Sequence, residues 1–387
     1  MKIKARTNCA ILRWARDEAG LSLAVAAKKA TVSEENLSSW ERDADQPTIP
    51  QLRKLAQVYK RPLAVFYLSE VPTAFRVQSD FRRLPGEVAD IYSPELRLDL
   101  RSAAYHREVA LELFRELGEE APAFRFTVSI DDDPELTGES LRVFLDAEEP
   151  AHEESRLAFN RWRRLVENRG VLVFQMAGVE VSEMRGFSLA TQHLPVAAVN
   201  RKDAWAGRLF SLLHELTHIA LHRGGICDID EFATRAPEVQ RIEQFCNHVA
   251  GATLVPRSLL LENENVRAYT SAIWTDDTLR LIARDFGVSR EVVLRRLLIL
   301  GRTTDAAYRK ARQGFMEEYM AGEEATGEYK GFARNMPRET IGLLGRPFVG
   351  LVLDTYEQDR ITLNDVATYL GVRVKHLDNI VRLVRTA

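Results

Sequence analysis

The spacing of apolar and polar residues predicts a mostly helical chain with three short strands near its middle. Four short amphipathic segments with polar caps open the chain, and a longer apolar stripe follows, with Ser93 as its N-cap, Pro94 as its first residue and Gly118 as its stop. We expect the opening helices over 8–19, 23–29, 34–42 and 49–59. Later helices are predicted over 137–145, 155–168, 239–254, 279–286, 290–299, 363–370 and 375–383.

Near-continuous apolar runs predict the strands over 171–176, 186–189 and 196–199. A helix is predicted soon after them, over 209–222. Strands that come directly before a helix in the sequence can form a small sheet against which that helix packs. Such packing fixes the direction of the helix's side chains.

The most informative polar pattern is His214-Glu-Leu-Thr-His218, inside this last helix. Two histidines four residues apart lie on one face of a helix, so both imidazoles can bind one zinc ion. Glu215 follows the first histidine and is placed to take a proton from an attacking water. The pattern predicts a zinc hydrolase site, and the alternative is a helix with two surface histidines.

A site of this kind needs a third protein ligand. The metzincin pattern is excluded, because leucine and glycine stand three and six residues after His218. In helix 239–254, Glu243 and Asn247 share one face. We expect Glu243 to bind the metal, and Asn247 to hold a metal ligand in place without binding the metal itself. Glu238 and His222 are the rival ligands, and a solvated Glu243 is the other alternative.

Three stretches resemble the ImmA/IrrE family of metallopeptidases: 196–200, 208–218 and 243–256. The similarity covers about residues 155–300. It implies a gluzincin-like site with zinc, or alternatively manganese, and a protein substrate, commonly a helix-turn-helix repressor. The residue roles that it implies are metal binding by His214, His218 and Glu243, and general-base catalysis by Glu215.

Two further details belong to this resemblance. Thr217 stands where the family usually has glycine. Tyr269 and His193 are candidates, by residue type alone, for stabilising an oxyanion.

The opening helices carry a second motif. Residues 30–32 separate the second and third helices, which is the spacing of a helix-turn-helix motif. The stretches 15–22, 32–42 and 46–48 resemble the Xre/Cro family of DNA-binding domains. The resemblance implies that the third helix enters the major groove of double-stranded DNA, usually as a homodimer. We expect Trp40 to pack in the core rather than to contact a base. The alternative to DNA binding is a small helical domain that binds only protein. The predicted DNA contacts are Lys28, Lys29, Ser33, Glu34, Glu35, Asn36, Ser38 and Arg42.

Charge supports a DNA-binding face at this end of the chain. Residues 1–61 carry 12 Lys and Arg against 7 Asp and Glu, a net charge of +5, whereas the other 326 residues carry 41 against 49, a net charge of −8. Three cysteines without a C-x-x-C pair fit a reducing compartment. Because no apolar run is long enough for a membrane span and the basic start lacks an apolar signal region, we expect a cytoplasmic protein.

Together these observations predict an α+β, mostly helical chain in four parts: a helix-turn-helix domain over 1–72, a helical linker region over 73–154, a zincin-like peptidase domain over 155–305 and a helical region over 306–387. Residues 80–86 and 321–335 are expected to be linkers, and the helix pairs within 279–299 and 363–383 to be packing helices. The predicted function is a transcriptional regulator that cleaves a repressor or itself. The alternative is a non-catalytic repressor or antitoxin-like regulator that uses the zincin fold for sensing or docking.

Overall fold

A computed structural model describes residues 4–61, 63–71, 93–150, 152–222, 225–227, 237–325 and 335–386. The chain divides into two compact units, Met1–Val109 with Ala177–Val179, and Ala110–Met176 with Glu180–Ala387. No described helix combines the length and apolar character needed to cross a lipid bilayer. The predicted basic linker, residues 80–86, lies outside the described residues.

The first unit contains the predicted helix bundle. Its helices are α1 (Cys9–Glu18), α2 (Leu23–Ala30), α3 (Glu34–Glu41), α4 (Ile49–Tyr59), a 3-10 turn (Leu63–Tyr67) and the start of α5 (Pro94–Leu117). The polar caps define the helix starts, because each accepts a backbone N–H that the helix leaves unpaired. The side chains of Asn8, Ser22, Ser33 and Ser93 accept from Ala10, Val25, Asn36 and Leu96.

The core of this unit confirms the predicted apolar faces. Trp40 is only 2% exposed and packs with Leu37, Leu52 and Tyr59. Arg101 on α5 donates hydrogen bonds to the carbonyls of Tyr59 and Glu18, two oxygens at the C-terminal ends of α4 and α1. These bonds satisfy carbonyls that have no partner within their own helices.

The second unit is built on helices around one small sheet. Its strands are β1 (Leu172–Met176), β2 (Gly186–Leu189), β3 (Val196–Asn200) and β4 (Gly225–Cys227). Its helices up to residue 299 are α6 (Pro134–Leu145), α7 (Ser155–Glu167), α8 (Trp205–Ala220), α9 (Pro237–Leu254), α10 (Arg257–Glu262), α11 (Glu264–Ala268), α12 (Asp276–Phe286) and α13 (Arg290–Ile299). The last helices are α14 (Asp305–Ala325), α15 (Met336–Leu344), α16 (Arg346–Glu357), α17 (Leu363–Tyr369) and, after a 3-10 turn (Val374–His376), α18 (Leu377–Arg385).

The strand order is β1-β3-β2-β4. Strand β1 runs parallel to β3, and β2 runs antiparallel to both β3 and β4. Helix α8 packs against β2, β3, α7 and α9, so the helix that carries the two histidines lies on the sheet and inside a helical layer. The α+β, mostly helical fold class is confirmed.

The C-terminal helices contact the β1 edge of the sheet. The carbonyl of Gly342 on α15 accepts hydrogen bonds from Arg163 of α7 and from Gln175 of β1, at 2.7 Å each. Arg163 also donates to the carbonyl of Val173 at 2.5 Å and pairs with Glu167 in a buried salt bridge. Helix α15 therefore lies beside β1, at one end of the strand order.

Three local predictions need correction. Helix α6 begins at Pro134 rather than at residue 137, because Asp133 caps it and proline is favoured in its first turn. Residues 321–325 continue helix α14 rather than forming a linker, since alanine and glutamate are strong helix formers that outweigh one glycine, while residues 326–334 lie outside the described residues. Strand β4 was not predicted.

Helix α6, within the region predicted as a linker, packs against α9, and its Glu135 forms a charged cluster with Arg296 of α13 and His248 of α9. The guanidinium of Arg296, which is fully buried, donates to both carboxylate oxygens of Glu135 at 2.5 and 2.7 Å and to the carbonyl of Val255 at 2.9 Å. His248 of α9 lies 2.6 Å from the same carboxylate. Burial alone would raise the pKa of Glu135, but the hydrogen bonds and charges of Arg296 and His248 lower it to about 2.

This cluster gives the second unit a defined acid sensitivity. The pKa of Glu135 lies below its ordinary value of 4.5, so its ionised form stabilises the fold above that pH, and the contribution is lost as pH falls toward about 2. At pH 7, Glu135→Ala should lower the free energy of unfolding by about 3–5 kcal/mol, because it leaves Arg296 buried without its carboxylate. Chemical denaturation of both proteins from pH 7 to pH 2.5 should show this difference shrinking below pH 4.5. A difference that stays constant would contradict the role of this ion pair.

Candidate metal centre

Helix α8 brings the predicted histidines to one buried point. His214 is 0% exposed and His218 is 4% exposed. Their ring centroids are 4.8 Å apart, and their Nε2 atoms are separated by 3.1 Å. One helical turn separates the two residues, so the geometry follows directly from the spacing in the sequence.

Helix α9 supplies the third group. Glu243 is 7% exposed, and its carboxylate faces both histidines. Its Oε2 lies 3.3 Å from Nε2 of His214, and its Oε1 lies 3.5 Å from Nε2 of His218. Within the described residues, these three side chains form the one group of histidine, cysteine or acidic residues whose donor atoms could share a metal ion.

The donor set fits a zinc ion. Tetrahedral zinc with bonds of 2.0–2.2 Å separates neighbouring donor atoms by about 3.3–3.6 Å. The two Nε2 atoms are 3.1 Å apart, and they lie 3.3 and 3.5 Å from the two different carboxylate oxygens of Glu243. Two imidazole nitrogens and one carboxylate are also the ligands that catalytic zinc sites use when one position stays open to water. The residues present therefore match the metal that the motif predicts.

Electrostatics at the centre separate the two glutamates. Burial would raise the pKa of Glu243, but hydrogen bonding to His214 and His218 holds it well below its usual range. Glu215 is 1% exposed, and burial raises the pKa of its carboxyl against the opposing effect of the two histidines. Glu243 thus remains an anion beside the donor nitrogens, whereas Glu215 has a more basic carboxylate.

Neither rival ligand belongs to this group of three side chains. His222 lies 3.1 Å from the hydroxyl of Thr127, and Glu238 is exposed on the first turn of α9. Asn247 is 1% exposed, and neither of its amide atoms has a hydrogen-bond partner within the described residues. Its expected role in holding a ligand stays a prediction.

The two candidates for oxyanion stabilisation are also held by local contacts. The hydroxyl of Tyr269 donates to the carbonyl of Ile273 at 2.9 Å, and its ring stacks on Trp274 with centroids 4.3 Å apart. His193 Nδ1 lies 2.9 Å from the carbonyl of Ala121. The stabilisation of an oxyanion by either residue stays a prediction.

The departure at Thr217 is accommodated within α8. Its hydroxyl is buried and donates to the carbonyl of Leu213 at 2.8 Å. A threonine hydroxyl bonded one turn back in its own helix leaves no unpaired polar group. The family's usual glycine is therefore not needed for the helix to bury this position.

The predicted DNA-contacting residues lie on the first unit. Lys28, Lys29 and Arg42 are exposed, and the side chain of Arg42 donates to the carbonyl of Ser38 at 3.2 Å. Helix α3 exposes Glu34, Glu35 and Asn36 on its first turn, after the exposed cap Ser33, and Ser38 is half-buried. All eight predicted side chains are thus at least partly accessible.

Both motifs match known families. Residues 166–298 match the family model of the peptidase M78 group, described as the IrrE N-terminal-like domain. Residues 12–66 match a helix-turn-helix family model. The two matches confirm the resemblances drawn from the sequence and place a DNA-binding type of segment and a peptidase-family segment in one chain. No curated protein matches the chain with significant similarity.

Two residues close to Glu215 were missed in the sequence. Gly186 of β2 faces its carboxylate, and Ser188, two residues later, is among the groups that act on its pKa. The signal was a small residue and a hydroxyl at alternate positions of an otherwise apolar strand. Its meaning depends on which face of β2 meets α8, and the sequence does not specify that.

Proposed function

We propose that this protein is a DNA-binding transcriptional regulator whose second unit is a zinc-dependent endopeptidase acting on a protein substrate. The observation that carries the proposal is the convergence of His214, His218 and Glu243 within 4.8 Å of one another, with Glu215 buried beside them. A merely structural metal site needs no adjacent buried carboxylate outside the ligand set. The spare glutamate is the feature that supports hydrolysis.

The protein groups divide the work of peptide hydrolysis. His214, His218 and Glu243 would hold the metal, which when bound activates water and polarises the carbonyl to be cleaved. Glu215 accepts the proton of the attacking water and returns it to the departing amine. The packing of α8 against the sheet and α9 fixes the direction of this carboxylate, so little reorganisation is needed during the reaction.

The order of the strands supports a proposal for where an extended substrate binds. Strand β1 at one end contacts α15, whereas β4 at the other end pairs with β2 on one side and has no strand partner on its other side within the described residues. Strand β2 contacts α8, the helix of the catalytic groups. We propose that a substrate peptide adds to the sheet as a strand at β4, with main-chain hydrogen bonds providing affinity.

The fusion of the two segments supports one substrate class. We propose that the peptidase cleaves a helix-turn-helix repressor, either a separate protein or the module over residues 12–66 of the same chain, and that cleavage releases an operator. The test is a time course of the purified full chain loaded with zinc or manganese, alone and with repressor proteins encoded beside it, followed by intact-mass spectrometry. A metal-dependent fragment pair would support the proposal, and no fragment under any condition would leave the non-catalytic regulator.

DNA binding yields a separate prediction. Substituting Lys28 and Lys29 with alanine should weaken binding to specific and nonspecific duplexes alike. The slope of the logarithm of the binding constant against the logarithm of the salt concentration should fall in magnitude by about one for each lost phosphate contact. Asn36→Ala should cost about 1–3 kcal/mol at the operator and relax its specificity at one base pair. Fluorescence anisotropy over a salt series measures both effects, and Lys310→Ala, an exposed lysine of the second unit, is the matched control.

Footprinting identifies the operator used in that experiment. We expect a near-palindrome with half-sites about one helical turn apart, because one such module contacts few base pairs and two act together as a dimer. Equal weakening by Lys310→Ala would contradict the phosphate contacts of Lys28 and Lys29. An operator affinity that Asn36→Ala does not change would contradict the assignment of α3 as the base-reading helix.

A further inference from the structure

Strand β2 contacts the helix that carries Glu215 through a position without a side chain. Gly186 pairs with Val199 on one side and Cys227 on the other, so it lies inside the sheet rather than in a turn. The backbone angle φ of Gly186 is not positive. The glycine is therefore not required by backbone conformation, and its cause must be sought in the space around it.

The space beside Gly186 is taken by the carboxylate of Glu215. A Cβ atom at this position would lie 2.8 Å from Oε1 and 3.1 Å from Cγ of Glu215. It would also lie 3.1 Å from the carbonyl oxygen of Ala198. The closest contact is thus the reactive side chain, and a separation of 2.8 Å is too short for carbon and oxygen atoms that are not bonded.

The same face of β2 presents a hydroxyl to this glutamate. Ser188 lies two residues after Gly186, so both point to the same side of the strand. Ser188 is 0% exposed, and its Oγ and the Oε2 of Glu215 have no hydrogen-bond partner within the described residues. Gly186 and Ser188 therefore place a missing side chain and a buried hydroxyl on the face of β2 that meets Glu215.

We infer that Gly186 is a positioning residue for Glu215: its missing side chain creates the seat on the sheet in which the carboxylate rests. The inference rests on the proposed function for its catalytic meaning. The seat itself depends only on how Gly186 and the side chain of Glu215 pack, and not on catalysis. A methyl group at position 186 would push the carboxylate away from its place beside the histidines, whereas the metal ligands would keep theirs.

A double-mutant cycle tests this without any substrate. Gly186→Ala, Glu215→Ala and the double variant are prepared as full chains and stripped of metal, and their thermal midpoints are measured. Gly186→Ala alone should lower the midpoint by about 2–10 °C, because overpacking a filled site is destabilising. In the Glu215→Ala background the added methyl enters vacated space, so the further loss should be less than about half of that.

A matched control isolates the effect of the site from the chemistry of the substitution. Gly350→Ala adds the same methyl group where no described atom outside its own stretch of helix lies within 4 Å of the new Cβ, and it should not lower the midpoint in either background. Equal losses from Gly186→Ala with and without Glu215 would overturn the inference, and so would failure of both Gly186→Ala proteins to fold. Either result would mean that the carbonyl of Ala198 closes the site.

Hydrolysis and metal content separate this inference from the proposed function. If the wild type cleaves its substrate, Gly186→Ala should bind zinc stoichiometrically yet lose most of its turnover. Full turnover in Gly186→Ala would overturn the positioning role. If the wild type cleaves nothing, the proposed function fails, and the cycle still decides whether Gly186 seats Glu215.

Discussion

Replacing His214 by alanine should remove the metal from the protein. Loss of one of three buried donors is expected to weaken zinc binding by more than a hundredfold, since even residues behind the ligands contribute ten- to a hundredfold. Glu243→Ala should do the same, because its carboxylate lies 3.3 and 3.5 Å from the two histidine nitrogens. Elemental analysis after dialysis against a zinc buffer measures the occupancy, which should fall from one ion per chain to nearly none.

The matched control is Glu238→Ala, an acidic residue on the first turn of the same helix. It is exposed and lies outside the donor cluster, so full occupancy is expected. If Glu243→Ala keeps its zinc while Glu238→Ala or His222→Ala loses it, the third ligand has been assigned to the wrong residue. Circular dichroism of each variant guards against a general loss of folding.

The second large effect is expected at Glu215. Glu215→Gln keeps the size of the side chain and removes its ability to accept a proton. General-base catalysis contributes about a hundredfold to ten-thousandfold, so proteolysis should become almost undetectable. Zinc content and DNA binding should not change, because Glu215 is outside the ligand set and the helix-turn-helix match ends at residue 66.

In cells this variant should fix the regulated gene in one state, which we expect to be constant repression. A reporter for the operator should then ignore the inducing condition. An unchanged response in Glu215→Gln would contradict the coupling of regulation to cleavage and would leave DNA binding as the function of the chain.

The features that sequence predicted best were those set by local spacing. Asn8, Ser22 and Ser33 marked helix starts because capping involves residues two or three apart. His214 and His218 meet because they lie one turn apart on α8. Glu243 was predicted from the face of its own helix, and its closeness to the histidines is a tertiary contact.

The features that sequence did not reveal join distant segments. Arg163 and Gln175 meet the carbonyl of Gly342 across more than 160 residues, and no local pattern predicts such a contact. The Glu135–Arg296 pair likewise spans 161 residues and ties α6, which was expected in a linker, to the body of the second unit. Strand β4 is three residues long, too short for an alternating pattern to identify it.

The packing of β2 against α8 is another contact between distant segments that the sequence did not reveal. Gly186 could be recognised as an unusual residue in an apolar strand, but its contact with Glu215 depends on how the strand and helix pack. The two histidines and Glu215 could therefore be predicted from one helix, whereas the shape of their surroundings could not. That surrounding shape is what would distinguish a working peptidase from a metal-binding relative.

The most direct measurement compares the zinc-loaded full chain with its Glu215→Gln variant in parallel time courses, read by intact-mass spectrometry with the operator-bound repressor present. The account predicts a defined fragment pair from the wild type, none from the metal-stripped protein, and none from Glu215→Gln at full zinc occupancy. Fragments that form equally in Glu215→Gln would contradict the account, because hydrolysis would then not depend on the glutamate that the fold buries beside His214 and His218.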